Sequence, residues 1–168
     1  MAFSAQQTIP HAPAAVATAL ASEDFHRSVV QSFGGTLDSF TVEGDASGPL
    51  TITTVRSAPA DRLPEMARKF IGSSLKVEQV ERWSAPAEDG SRTGTTTITV
   101  PAAKATAEGD LRLAATGEGS EYGVSGSLVC RIPLVGSKLA AKAEPMVGSV
   151  VSRQARALSS WIERGAQG

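Results

Sequence analysis

Residues 134–164 read LVGSKLAAKAEPMVGSVVSRQARALSSWIER, and how this stretch is read decides the fold. Its apolar spacing predicts one long helix that opens at the Ile132-Pro133-Leu134-Val135-Gly136 turn. At a rise of about 1.5 Å per residue, Lys138 to Arg164 spans roughly 40 Å, the width of a small domain. On a helical wheel Leu139, Ala143, Met146, Val147, Val150, Leu158 and Trp161 share one face. Lys142, Ser149, Ser152, Arg156 and Glu163 lie away from it. Pro145 falls on the polar side, where the hydrogen bond lost at Ala141 bends the helix convex toward solvent and wraps it over a core. Gln154 is the exception, an amide near the middle of the apolar face.

Upstream, the sequence supplies something for that helix to lie against. Residues 121–132 read as a strand with Tyr122, Val124, Leu128, Cys130 and Ile132 on one side. Further strands rich in Thr, Val and Ile are expected at 109–116, 92–101, 74–83, 49–57 and 36–43. Turn chemistry joins them at Gly44-Asp45-Ala46-Ser47-Gly48, Glu88-Asp89-Gly90 and Gly117-Glu118-Gly119. A short helical pattern with Leu63, Met66, Ala67 and Phe70 interrupts the series and stops at Gly72. At the N-terminus Phe3, Ala5, Gln7 and Ile9 alternate with polar residues as a half-buried strand does. Pro10 and Pro13 end that strand and open a helix with Val16, Ala17 and Leu20. Ser22 is placed to cap a second helix bearing Phe25, Val29 and Phe33, which Gly34-Gly35 terminates. Short turns between successive strands favour antiparallel neighbours, and a sheet of about seven strands curls. Only the last helix is long enough to cover the concave face, so the expected class is α+β, a curved sheet wrapped around a long C-terminal helix. Such an arrangement encloses space in which small-molecule sites tend to lie.

Composition narrows the function classes. The 168 residues suit one domain over 1–168. A net charge of -1 gives no general pull toward nucleic acid or an anionic membrane. The single cysteine, Cys130, excludes an internal disulfide framework and suits a reducing compartment. No apolar run is long enough to span a bilayer, and the Ala-rich stretch 12–21 lacks the basic start of a leader. A cytoplasmic location is the expectation.

Four stretches carry a family resemblance: Leu63-Pro64, Val77-Glu78-Gln79-Val80-Glu81-Arg82-Trp83, Asp89-Gly90-Ser91-Arg92-Thr93-Gly94, and Ile132-Pro133-Leu134-Val135-Gly136-Ser137-Lys138. With the element order, they resemble the START, polyketide-cyclase and birch-pollen-allergen superfamily, whose shape is the helix-grip fold. More closely the chain is similar to domain-of-unknown-function family 2505, found chiefly in actinobacteria. The superfamily resemblance implies a cavity for apolar or amphipathic ligands such as lipids, isoprenoids or polyketides. The closer family implies no established activity.

The candidate chemistry is sparse. His11 and His26 are the only histidines, and Asp24 and His26, two apart on a helix, face different ways. Two distant histidines and one cysteine do not make a metal site, and no cofactor is expected. Cys130, on an apolar strand face, reads as a small buried thiol. Gly34-Gly35 follows a helix and precedes a strand, the reverse of a dinucleotide fingerprint. Arg131, Lys138 and Lys142 read as solvated charges near the start of the last helix. With aromatics at 5%, no aromatic-and-basic stripe for RNA is present. The expected partner is therefore a small hydrophobic or amphipathic molecule, and no activity is assigned. Met66 and Phe70 on the short helix, Trp83 and Tyr122 on strands, and Met146, Val150, Gln154 and Leu158 on the long helix are the candidate lining. For each of them ordinary core packing is the competing reading. A cyclase-type enzyme is the first alternative, with Tyr122, Arg82 or Glu81 as polar participants. Strand pleat puts Glu81 and Trp83 on one face and Arg82 on the other, which weakens it. An interaction module with a filled core is the second alternative.

Overall fold

The chain forms β1 (Ala2–Ile9), α1 (Pro13–Leu20), α2 (Glu23–Ser32), β2 (Thr36–Gly44), β3 (Leu50–Pro59), α3 (Glu65–Ile71), β4 (Ser74–Trp83), β5 (Arg92–Val100), β6 (Ala105–Thr116), β7 (Gly119–Cys130) and α4 (Gly136–Gln167). Single 3-10 turns lie at Ala60–Arg62 and Pro101–Ala103. This is a computed structural model that describes residues 2–167 apart from position 64, and the side chains at 62, 66, 70, 166 and 167 are also outside the described residues. The strands make one antiparallel sheet in the order β1-β7-β6-β5-β4-β3-β2. With two short helices after β1 and the long α4 on the concave side, this is the helix-grip arrangement.

Local chemistry sets the joints. The Phe25 N–H donates to Ser22 Oγ at 3.2 Å and caps α2. Gly34 ends α2 in left-handed backbone at φ +77°, where a side chain would be strained. Before α4, Leu134 itself takes φ +74° and is 98% exposed. Arg92 fastens the opposite end. Its Nη1 donates to the carbonyls of Gly48 at 3.2 Å and Ser84 at 3.4 Å, and its Nη2 donates to that of Ala46. One guanidinium thus ties the β2–β3 loop to the β4–β5 loop.

The packed core gathers at that loop end. Helix α4 lies along β1 and β7 and buries Val151, Ala155 and Leu158 against Ile9, Leu111, Leu113, Tyr122 and Val124. From α1 and α2, Val16, Leu20 and Phe25 complete it, with the Phe25 and Trp161 rings 6.0 Å apart in a T-shaped contact. The buried stripe of α4 is rotated from the expected one: Ala140, Val151, Ala155 and Leu158 are buried, whereas Met146 and Val150 are 51% and 55% exposed. Pro145 is exposed within a continuous helix.

Strand β6 begins at Ala105, before the expected position 109. The Pro101–Ala103 turn and Lys104 in left-handed backbone at φ +48° redirect the chain, and sheet pairing then recruits Ala105 and Ala107 despite their weak strand propensity. Inside the sheet Gly109 and Gly126 face each other across β6 and β7, and a Cβ on Gly126 would run into the Glu108 carbonyl. Gly126→Ala is expected to lower stability by about 2 kcal/mol or more in urea unfolding, because backbone rather than a flexible side chain must yield. A loss under about 0.5 kcal/mol would show the strands separate easily there.

Candidate functional site

Strand alternation assigns the inner face of the sheet, and burial along it changes abruptly. Toward the loop end, Leu50, Ile52, Trp83, Leu111, Leu113, Tyr122 and Val124 are sealed. Toward the start of α4, the inward positions Arg56, Leu75, Val77, Gln79, Ile98, Val100, Ala107 and Leu128 are only partly buried. The long helix shows the same division. Met146, Val150, Arg153 and Ala157 form one stripe at spacings of four, three and four residues. At Arg153 this stripe meets α2, the guanidinium lying 5.3 Å from the Phe33 ring centroid. Nearer the helix start, α2 no longer covers it, and Met146 and Val150 stand open. A cavity of about 190 Å³ occupies this region, walled by Leu63 and Ala67 beside α3, Leu75 and Leu128 on the sheet, and Ala143 and Met146 on α4. A larger depression of about 440 Å³ between α2 and α4, bounded by Phe33, Arg153 and Arg156, includes none of these inner-face residues.

A one-way chain of hydrogen bonds crosses the boundary between the sealed and open halves. Arg56 Nη1 donates to Thr54 Oγ1 at 3.3 Å and to Gln79 Oε1 at 3.0 Å. Gln79 Nε2 donates to Glu81 Oε1 at 3.0 Å and to Thr96 Oγ1 at 3.2 Å. The Trp83 indole donates to Glu81 Oε2 at 3.0 Å. Register makes this possible, since Thr54 pairs with Gln79 and Glu81 with Thr96. Burial pushes the Glu81 carboxyl above its usual range, while the Trp83 indole and the Arg56 charge pull it back. Burial also pulls Arg56 below its usual value, with Glu81 opposing. The phenol of Tyr122 is pushed well above its ordinary value by burial and by the Glu81 charge. Nearby, His26 Nε2 lies 2.7 Å from the Leu20 carbonyl, so that nitrogen carries the proton, and the ring centroid is 5.2 Å from that of Phe40.

The expected lining residues are dispersed by this geometry. Met146 walls the cavity and Val150 lies next along its open stripe. Trp83, Tyr122 and Leu158 are in the sealed core, where the Trp83 and Tyr122 rings sit 6.3 Å apart. Gln154 is half-buried. The side chains of Met66 and Phe70 lie outside the described residues. Arg82 is exposed on the outer face while Glu81 is buried, as the pleat requires. His11 sits at the loop end, 3.5 Å from Glu163. Cys130 is half-buried, its thiol 3.1 Å from the Ala103 carbonyl, and it is part of the cavity wall. Among the described residues no group of three metal-ligating side chains gathers, and no helix is long and apolar enough to cross a membrane.

Sequence reasoning missed Arg56, Gln79, Thr54 and Thr96. The available signal was polar residues at inward parity: β4 reads Leu75, Val77, Gln79, Glu81, Trp83 on one face, a polar pair inside an apolar row. The three basic residues noted near α4 are exposed and belong to a wider group at the same end, with Arg68, Lys69, Lys76 and Lys104 also exposed. Exposed Asp45, Glu88, Asp89 and Glu118 occupy the loops at the other end.

The model of a family described as a protein of unknown function (DUF2505) matches residues 4–162. The chain belongs to this family. Comparison with curated proteins finds no match. Among solved structures, TTHA0849 from Thermus thermophilus is 16% identical with a TM-score of 0.62, covering 98% of this chain and 99% of that one. Ara h 8.0201 is 15% identical at a TM-score of 0.58, with 98% of each chain covered. The di-domain ARO/CYC StfQ from the steffimycin biosynthetic pathway is 13% identical at 0.63, with 99% of this chain and 52% of that chain covered. At these identities the likeness is one of fold, that of the Bet v 1-like and aromatase/cyclase helix-grip proteins.

The half-buried His26 gives a pH signature. Burial holds His26 below the ordinary value of 6.5, with the Leu20 carbonyl opposing and the Arg56 charge assisting. The unfolded chain therefore takes up this proton at a higher pH than the folded one. Stability from this group is present above 6.5 and is lost as pH falls from there through the folded-state value. Urea midpoints should drop in that window for the wild type and drop less for His26→Gln, which retains a donor for Leu20. Equal slopes would assign the loss to other groups.

Proposed function

We propose that this protein, acting as one helix-grip domain in the cytoplasm, binds a small hydrophobic or amphipathic molecule between its sheet and α4. The observation that carries this reading is the apolar cavity beneath the first half of α4, on the half of the inner face whose side chains are only partly buried. Its volume of about 190 Å³ has room for about six groups the size of a water molecule. That suits a medium alkyl chain or a small ring system better than a sterol. Exposed Met146 and Val150 gain burial only when something fills the space beside them, at about 25 cal/mol for each Å² covered. The cyclase-type reading has weaker support: Arg82 lies on the outer face, and Glu81 and Tyr122 are 4% and 3% exposed, away from an incoming chain.

The test uses the neutral probe N-phenylnaphthylamine, whose fluorescence rises in apolar surroundings. The wild type is expected to enhance it, and octanol to displace it. Ala143→Phe puts a ring into the cavity from the helix side and should weaken the probe at least about tenfold, or 1.4 kcal/mol, with unchanged circular dichroism. Equal probe binding by both proteins would refute the cavity as the site.

A further inference from the structure

We infer that the ligand is an acid, a medium-length amphiphile whose carboxylate is held by Arg56 while its tail occupies the cavity; this rests on the binding function proposed above. Arg56 stands opposite Val77 on the inner face, and Val77 is two residues from the cavity-wall residue Leu75. Strand geometry puts the Arg56 and Leu75 backbones roughly 8 Å apart, within the length of a short extended alkyl chain. The cation thus lies on the same sheet face as the cavity wall, one strand over and two residues along from Leu75.

Arg56 has no acid in direct contact among the described residues, and the Glu81 charge reaches it only across Gln79. The ion pairs among the described residues are His11 with Glu163 and Arg27 with Glu23, and neither involves Arg56. Its two hydrogen bonds both come from Nη1, to neutral acceptors on Thr54 and Gln79. Those bonds fix the plane of the guanidinium while leaving the Nη2 side for a forked pair with a carboxylate. Glu81, the nearest acid on the network, has both oxygens occupied by Gln79 and Trp83. Burial pushes this carboxyl up while the Trp83 indole and the Arg56 charge pull it back, and with both oxygens taken it has no open position to offer the Nη2 side of Arg56. His26, which faces this region from α2, is held toward its neutral form by burial. A partly desolvated cation with neutral partners gains most from a ligand that brings the counter-charge with it. An alcohol would gain one hydrogen bond, and an amine would be repelled.

Octanoate, octanol and octylamine share one tail and differ in head charge at pH 7. Isothermal titration of each into the wild type is expected to give octanoate at least about tenfold tighter than octanol, about 1.4 kcal/mol, with octylamine weakest. Arg56→Gln should lose the octanoate preference, bringing the octanoate and octanol affinities to within about twofold of each other. Arg56→Lys, which keeps the charge but not the fork, should retain part of it and guards against misfolding of the glutamine variant. Equal affinity for octanoate and octanol in the wild type overturns the anchor and leaves the cavity function standing. So does a preference that survives Arg56→Gln. Binding of none of the three overturns both.

Discussion

A single helix cannot touch every strand of a sheet this wide once the sheet curls, and the rest of the molecule follows from that. At about 1.5 Å per residue α4 is roughly 48 Å long, yet it packs along β1 and β7 at one side of the concave face. Helices α1 and α2 close the loop end, where Phe25, Leu20 and Val16 reach Leu158 and the inner rows. Among the described residues no comparable cluster fills the other end. There the short α3 stands off the sheet, and the inward side chains of β3, β4 and β5 stay partly uncovered. The cavity is thus a consequence of topology before it is a feature of particular residues.

The residues then make use of that gap. Burying the Glu81 carboxyl and partly burying the Arg56 guanidinium both cost free energy, while each net hydrogen bond returns about 1 kcal/mol. A row of leucines and valines at positions 54, 56, 79, 81 and 96 would serve packing at least as well. The polar chain from Arg56 through Gln79 to Glu81 and Trp83 is therefore poor value as a stabiliser. Its bonds run in one direction, each amide and indole donating toward Glu81, whose two oxygens accept both. Such an arrangement fixes side chains at the edge of an open space, which is what a recognition surface needs.

Much of the fold was legible because its punctuation is chemically explicit. Ser22, Gly34, the Asp89-Gly90 turn and the Pro133-to-Gly136 entry to α4 each mark a joint by a property of one residue type. The family stretches gain physical meaning in the same terms: Arg92 ties two loops, Trp83 lies across Gly94, and Leu63 walls the cavity. What stayed hidden depends on partners distant in sequence. The start of β6 was missed because alanines carry no strand signal until β5 and β7 pair with them. The face of α4 was misjudged because Val150 and Val151 are equally apolar, and only the position of β1 and β7 decides which is buried. Arg56 and Gln79 come together only through the pairing of β3 with β4.

The division of charge between the two ends bears on how fast anything reaches the cavity. A total charge near zero predicts no steering, but Arg68, Lys69, Lys76, Lys104, Arg131, Lys138 and Lys142 surround the end where the cavity lies, partly balanced there by Asp61, Glu65, Glu78, Glu108 and Glu144. The far loops carry Asp45, Glu88, Asp89 and Glu118. Seen from beyond its own diameter the molecule is an electric dipole, and it turns its basic pole toward an approaching anion. Association of a negatively charged solute is accelerated at that pole relative to a neutral one of the same size. Raising the salt until the Debye length is about 3 Å, near 1 M, brings the two rates together and leaves dissociation to set the affinity difference.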